Sequence, residues 1–323
     1  MKKFIIIFIS LFLVVFSILY STFFTKKDTI KVAEVTHSLF YTPFYVAIEN
    51  GYFKDEGLNI ELILTSGADK VASSVLSNDV QIGFAGPEAT IYVYKNNEKD
   101  YLVTFAGLTK KDGQFIVSRN NISNFNIEDL YGKKVLAGRA GGMPVLNFLN
   151  GIKKLNGDSS KIDIDTSIDF SSLTGTFISG YGDYVNLFEP NATKLEKLGL
   201  GHVVASIGEY SGDLPYTAFF SRKSYINNNK DTIERFNKAL NRGLLYVQQH
   251  DENDIAKVVL NQFSDTSLDD IKTIVKRYKD NDTWFNNTTI EEKYFNNLEN
   301  IMIDNNLLDK YVPFNNLVIN LNE

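Results

Sequence analysis

The stretch KVAEVTHSLFYTPFYVAIENGYFKDEGLNIELIL, Lys31 to Leu64, constrains the fold more than any other because it holds a complete strand, loop, helix and strand. Val32 to Val35 reads as a short strand that breaks into a polar and aromatic loop, His37 to Thr42. Pro43 suits the first turn of a helix, where an N–H would have no partner anyway. Phe44, Ala47 and Ile48 then follow at helical spacing, Gly51 offers the positive φ of a helix stop, and Gly57 leads into a strand over 59–64. Two strands joined by such a crossover helix run parallel.

The same grammar recurs. TSGADK leads into a helix carrying Val71, Val75 and Leu76, and a strand over 81–85 turns through Gly86 and Pro87 into a helix over 88–95. Strands over 101–108 and 114–118 then follow each other with no helix between them, which marks a crossing into a second lobe. There, Asn126 begins a helical turn, 133–137 is a strand, and GRAGGMP opens a helix with Val145, Phe148, Leu149 and Ile152. Further strands are expected over 162–168, 184–188 and 203–207, with helices over 171–178 and 192–198. An apolar strand over 215–221 crosses back, and helices follow over 231–249, 252–261 and 267–278, with a last one opened by Thr289 and Glu292. The expected fold is α/β and two-lobed, with residues 29–112 and 215–323 in the first lobe and 113–214 in the second.

The 323 residues include no cysteine, which removes disulfides, thiol nucleophiles, Cys-type zinc sites and lipid attachment through cysteine. The three histidines, His37, His202 and His250, lie far apart, so no metal site or cofactor is expected. A formal charge of -6 without a basic stripe argues against nucleic acid as a partner. Residues 1–28 read as a targeting or anchoring segment. Lys2 and Lys3 precede an unbroken apolar run from Phe4 to Phe24, long enough as a helix for a hydrocarbon core of about 30 Å. An uncleaved transmembrane anchor is expected, and cleavage near Ser21 with secretion is the alternative.

In open α/β sheets, ligands bind beyond the carboxyl ends of the strands, where helix N-termini converge. Two such sheets facing each other make a cleft bounded by loops 37–42, 66–68, 86–88, 139–143, 173–176 and by Glu189. The candidate ligand-binding residues are therefore His37, Ser38, Tyr41, Ser66, Gly67, Glu88, Arg139, Gly141, Gly142, Met143, Thr174, Glu189 and Tyr216. Helix N-termini with Arg139 and His37 favour an oxyanion, whereas Glu88 and Glu189 favour an amine or ring N–H. The rings of Phe40, Tyr41, Tyr181, Phe188 and Tyr216 flank these loops and could serve as packing or as platforms for a flat ligand. Each candidate also has a plain structural alternative: a satisfied histidine, a helix-dipole carboxylate, a solvated arginine, a tight glycine turn.

The runs VTHSLFYTPFYVAIENGYFKDEGLNIEL, GADKV, VQIGFAGPEATIYV, LYGKKVLAGRAGGMP, GDYVNLFEP and GEYSGDLPYTAFFSRKSY, in this order, resemble the NMT1/THI5-like group of ABC-transporter substrate-binding proteins. This group includes relatives of the nitrate, sulfonate and taurine receptors and of thiamine-pyrimidine binding proteins. The resemblance covers nearly the whole chain after the anchor. It implies a periplasmic-binding-protein fold of type II, whose hinged lobes close on one small molecule and deliver it to an ABC permease and its ATPase. It also implies a monomer at the extracytoplasmic face of the membrane. By position it points to His37, Tyr41, Gly67, Glu88, Arg139, Gly142, Met143 and Glu189. The lipobox cysteine common in Gram-positive relatives is missing, which supports the anchor reading. The alternative is a thiamine-pyrimidine biosynthetic enzyme of the THI5-like type, but the cysteine-rich iron-binding segment of those enzymes has no counterpart here.

Overall fold

The computed structural model describes residues 28–321. The expected anchor over 4–24 lies outside them, and among the described residues no helix is long and apolar enough to cross a membrane.

The strands are β1 (Asp28–Glu34), β2 (Leu58–Leu64), β3 (Ile82–Ala85), β4 (Leu102–Thr109), β5 (Phe115–Ser118), β6 (Lys134–Leu136), β7 (Asp163–Asp165), β8 (Tyr184–Leu187), β9 (His202–Ser206) and β10 (Thr217–Arg222). They form two five-stranded sheets, in the orders β2-β1-β3-β10-β4 and β7-β6-β8-β5-β9. Both sheets follow one plan. β1 is parallel to β2 and β3, and β6 is parallel to β7 and β8, as crossover helices require. The fourth strand of each sheet is antiparallel to its neighbours: β10 in the first sheet, β5 in the second. The consecutive strands β4 and β5 thus belong to different sheets, and the chain returns to the first sheet at β10.

β3, β4 and β8 are buried along their whole length, which is why they read as continuous apolar runs instead of alternating ones. Phe84 and Phe219 face each other across β3 and β10 and stack at 4.1 Å, and Phe44, Phe53 and Phe236 pack around them. The long helix Lys230–Gln249 covers this core and lies against the helix Thr42–Glu49. In the second sheet, Ile116, Val135, Phe148 and Ile152 form a separate core under the helix Met143–Lys154.

Asp251 and Ser267 cap the helices Glu252–Val259 and Leu268–Asp280 by accepting from the N–H groups of Asp254 and Asp270. Two expected elements differ. The strand expected over 162–168 is limited to β7, because the Asp165 carboxylate accepts from both the N–H and the hydroxyl of Ser167 and turns the chain. Thr289 does not open the last long helix, which begins at Glu292. The segment before it serves the sheet instead: Phe285 N–H donates to the Leu108 carbonyl, and Gly107 N–H donates to the Thr288 carbonyl. These bonds cover the free edge of β4.

Candidate functional site

The loops after β1, β2 and β3 meet the loops after β6 and β8 around a cavity of about 570 Å³. Val35, Thr36, Ser66, Gly67 and Glu88 come from the first sheet; Arg139, Gly141, Gly142, Met143 and Phe188 come from the second. Tyr41 enters from the 3-10 turn before the helix Thr42–Glu49, and Tyr216 and Thr217 enter on the returning strand. Of the expected site residues, Tyr41, Ser66, Gly67, Glu88, Arg139, Gly141, Gly142, Met143 and Tyr216 therefore line one cavity. The rings of Tyr92, Phe170 and Phe188 and the side chains of Val93, Leu76 and Leu307 make much of the remaining wall apolar.

Glu88 is the first residue of the helix Glu88–Lys95 and only 2% exposed. Its Oε2 has no hydrogen-bond partner among the described residues. Burial raises its pKa to about 7, although the N–H groups of Glu88 and Met143 pull the other way. Gly86 makes this position possible, because a Cβ there would lie 2.0 Å from Glu88 Oε2. Arg139 is 47% exposed at its side chain and sits 3.6 Å from Asp69 and 3.9 Å from Asp169. Both contacts are exposed and longer than hydrogen bonds, so they hold the guanidinium only weakly. Gly67 has φ +115, and a Cβ there would approach Arg139 Nη1 at 3.3 Å, so this glycine lets the two loops meet.

His37, Ser38, Thr174 and Glu189 are not among the residues lining the cavity. His37 Nδ1 is 2.9 Å from Glu34 Oε1, and its Nε2 is 2.9 Å from the Gln262 carbonyl, with the ring stacked on Phe263. Burial opposes a charge on this ring, but the Glu34 and Gln262 hydrogen bonds outweigh it and raise the pKa. Ser38 donates to the Glu189 carbonyl and accepts from Phe40 N–H, so its hydroxyl is spent on joining and capping. Glu189 accepts from Arg277 at 2.5 Å and from both the N–H and the hydroxyl of Thr193 at 2.9 Å. Burial raises its pKa against the pull of Arg277 and Thr193. Thr174 lies in the helix Leu173–Ile178, and the 3-10 turn before that helix sends Phe170 to the cavity in its place.

Sequence reasoning missed Tyr92, Phe170 and Leu307. Tyr92 could have been found, since it lies four residues after Glu88 and hence on the same helix face. Phe170 and Leu307 carry no local signal.

Two sheets of matching strand order with a cavity between their carboxyl ends define a periplasmic-binding-protein-like fold. Solved structures share it. The alkanesulfonate-binding protein SsuA from Xanthomonas axonopodis pv. citri, bound to MOPS, aligns with a TM-score of 0.72 at 14% identity, covering 91% of this chain and 98% of that one. The aliphatic sulphonate binding protein SsuA from Escherichia coli aligns with a TM-score of 0.68 at 13% identity, covering 90% and 96%. In sequence, the chain is 42% identical over 290 residues to the "Putative binding protein YtlA" of Bacillus subtilis (strain 168), covering 90% of this chain and 87% of that protein. The NMT1/THI5 like family model matches residues 40–254. The chain belongs to the NMT1/THI5-like family.

Proposed function

We propose that the protein is the extracytoplasmic solute-binding component of an ABC importer. It captures one small ligand between two hinged lobes and delivers it to a permease with its ATPase. The observation that carries this reading is the cavity walled by loops from both sheets, since a ligand touching both walls favours the closed arrangement. The family and the binding-protein names of the relatives support it. The ligand types to test are nitrate, sulfonate or taurine on one side and thiamine-pyrimidine precursors on the other. The apolar run Phe4 to Phe24 would hold the protein at the membrane, and the mass of the mature N-terminus tests this. A thermal-shift screen of these solutes, with X-ray scattering on each hit, tests the function. A hit is expected to raise the melting temperature and shrink the radius of gyration, and turnover of a bound solute would overturn the reading.

A further inference from the structure

Glu88 separates this cavity from a site for free oxyanions. We infer that the ligand carries a nitrogen head, an ammonium, amidinium or similar N–H donor on an apolar or aromatic body, and that Glu88 receives this head. The inference rests on the binding-protein reading and names its ligand class.

Three observations carry it. Glu88 is buried and lines the cavity, and its Oε2, folded against Gly86, has no partner among the described residues; a buried acceptor left unmatched is costly until a turn of the carboxyl brings it to a donor. The positive helix end that would attract an oxyanion is already matched, because Glu88 sits in the first turn of its own helix. The carboxyl also faces the Met143 N–H at the start of the opposite helix. Among the described lining residues, Arg139 is the only basic side chain, and Asp69 and Asp169 stand beside it. An oxyanion would meet the buried Glu88 carboxylate, and the one basic side chain on the described wall, Arg139, is shared with two exposed carboxylates. Tyr41, Phe188 and Tyr216 offer rings to the rest of the ligand.

A protonated Glu88 could instead donate to an oxyanion, and pH tells the two apart. The titratable groups around it are Tyr41, Tyr92 and Tyr216, all raised by burial, with Asp69 and Arg139 elsewhere on the cavity wall. Glu88 is raised to about 7, and so is the buried Asp112 beside Tyr216 behind the wall, so the Glu88→Gln variant, not the pH profile alone, assigns the titration.

Calorimetry on the full chain with benzamidine, benzamide, benzenesulfonate and nitrate tests the inference. Benzamidine, which stays protonated near neutral pH, is expected to bind at least about tenfold tighter than benzamide and to weaken as the pH falls from about 8 to about 6. Glu88→Gln is expected to reduce benzamidine affinity at least about tenfold and the affinity of benzamide, an uncharged N–H donor, by less. Gly86→Ala, which displaces the carboxyl, is an independent second variant with the same expected direction. Binding of benzenesulfonate or nitrate that matches benzamidine and strengthens towards low pH would overturn the inference and leave the binding-protein reading standing. Unchanged benzamidine affinity in both variants would overturn it as well. Failure of all four probes, alongside failure of the wider solute screen, would remove both.

Discussion

Tyr92 Oη lies 3.1 Å from the carbonyl oxygen of Gly141, so a hydroxyl on the helix after β3 donates to the loop after β6 of the other sheet. Both residues line the cavity. The bond therefore closes part of the wall using groups from both halves of the chain. Tyr92→Phe removes the hydroxyl and keeps the ring. A net hydrogen bond is worth roughly 0.5–1.5 kcal/mol, so the apparent affinity for a bound solute is expected to fall by about threefold to tenfold. Scattering is expected to show a larger average radius of gyration. Unchanged affinity and radius would mean that this bond does not favour closure.

Arg277 and Glu189 join the two halves away from the cavity. The Glu189 side chain is fully buried, and Arg277 also reaches Glu196 at 3.3 Å. Arg277→Met leaves Glu189 buried with only the Thr193 donors, and losing one partner of a buried pair costs about 3–5 kcal/mol. Chemical denaturation is expected to show a lower midpoint with an unchanged slope. Glu189→Ala is likewise expected to act on stability, and any effect on ligand affinity in a variant that remains folded would return Glu189 to the site.

The loops that meet at the cavity were legible because each follows a strand and precedes a helix, and a strand's direction fixes the end at which its loop lies. Side-chain direction was less legible. His37 lies in the right loop but is caught by Glu34 and by the carbonyl of Gln262, a partner 225 residues away. Glu189 follows β8 as expected, yet Arg277 is 88 residues further on, and no local pattern announces the pair. Gly86 was read as part of a turn, whereas its missing Cβ is the space into which the Glu88 carboxyl folds. The partners that decide these cases come from packing between distant segments.

Close packing of two helices yields a prediction independent of any ligand. A Cβ at Gly243 would lie 2.2 Å from the Pro43 carbonyl oxygen and 3.0 Å from the Ala47 Cβ. The obstruction is backbone, which cannot rotate aside. Gly243→Ala should therefore push the helix Lys230–Gln249 off Thr42–Glu49 despite the better helix propensity of alanine, at about 1–3 kcal/mol. A melting temperature at or above that of the parent chain would show that the helices can separate freely.

Glu88 and His37 give stability the same direction of change with pH, in different windows. The folded-state pKa of Glu88 is raised from 4.5 to about 7, so the folded form holds a proton that the unfolded chain has released between these values. Stability therefore falls as pH rises through that window, by on the order of 3 kcal/mol at about 1.36 kcal/mol per unit. His37 is raised from 6.5, so its contribution is fully present below 6.5 and is lost as pH rises through its folded value. Denaturation midpoints measured across pH separate the two. Glu88→Gln is expected to make the curve shallower between about 4.5 and 7, where the buried Asp112, also raised to about 7, keeps part of the slope, and His37→Gln is expected to change it only above about 6.5. A Glu88→Gln curve parallel to the parent's below pH 6 would mean that the Glu88 carboxyl ionises in the folded protein as easily as in the unfolded chain, and its buried, unpartnered oxygen would then be solvated.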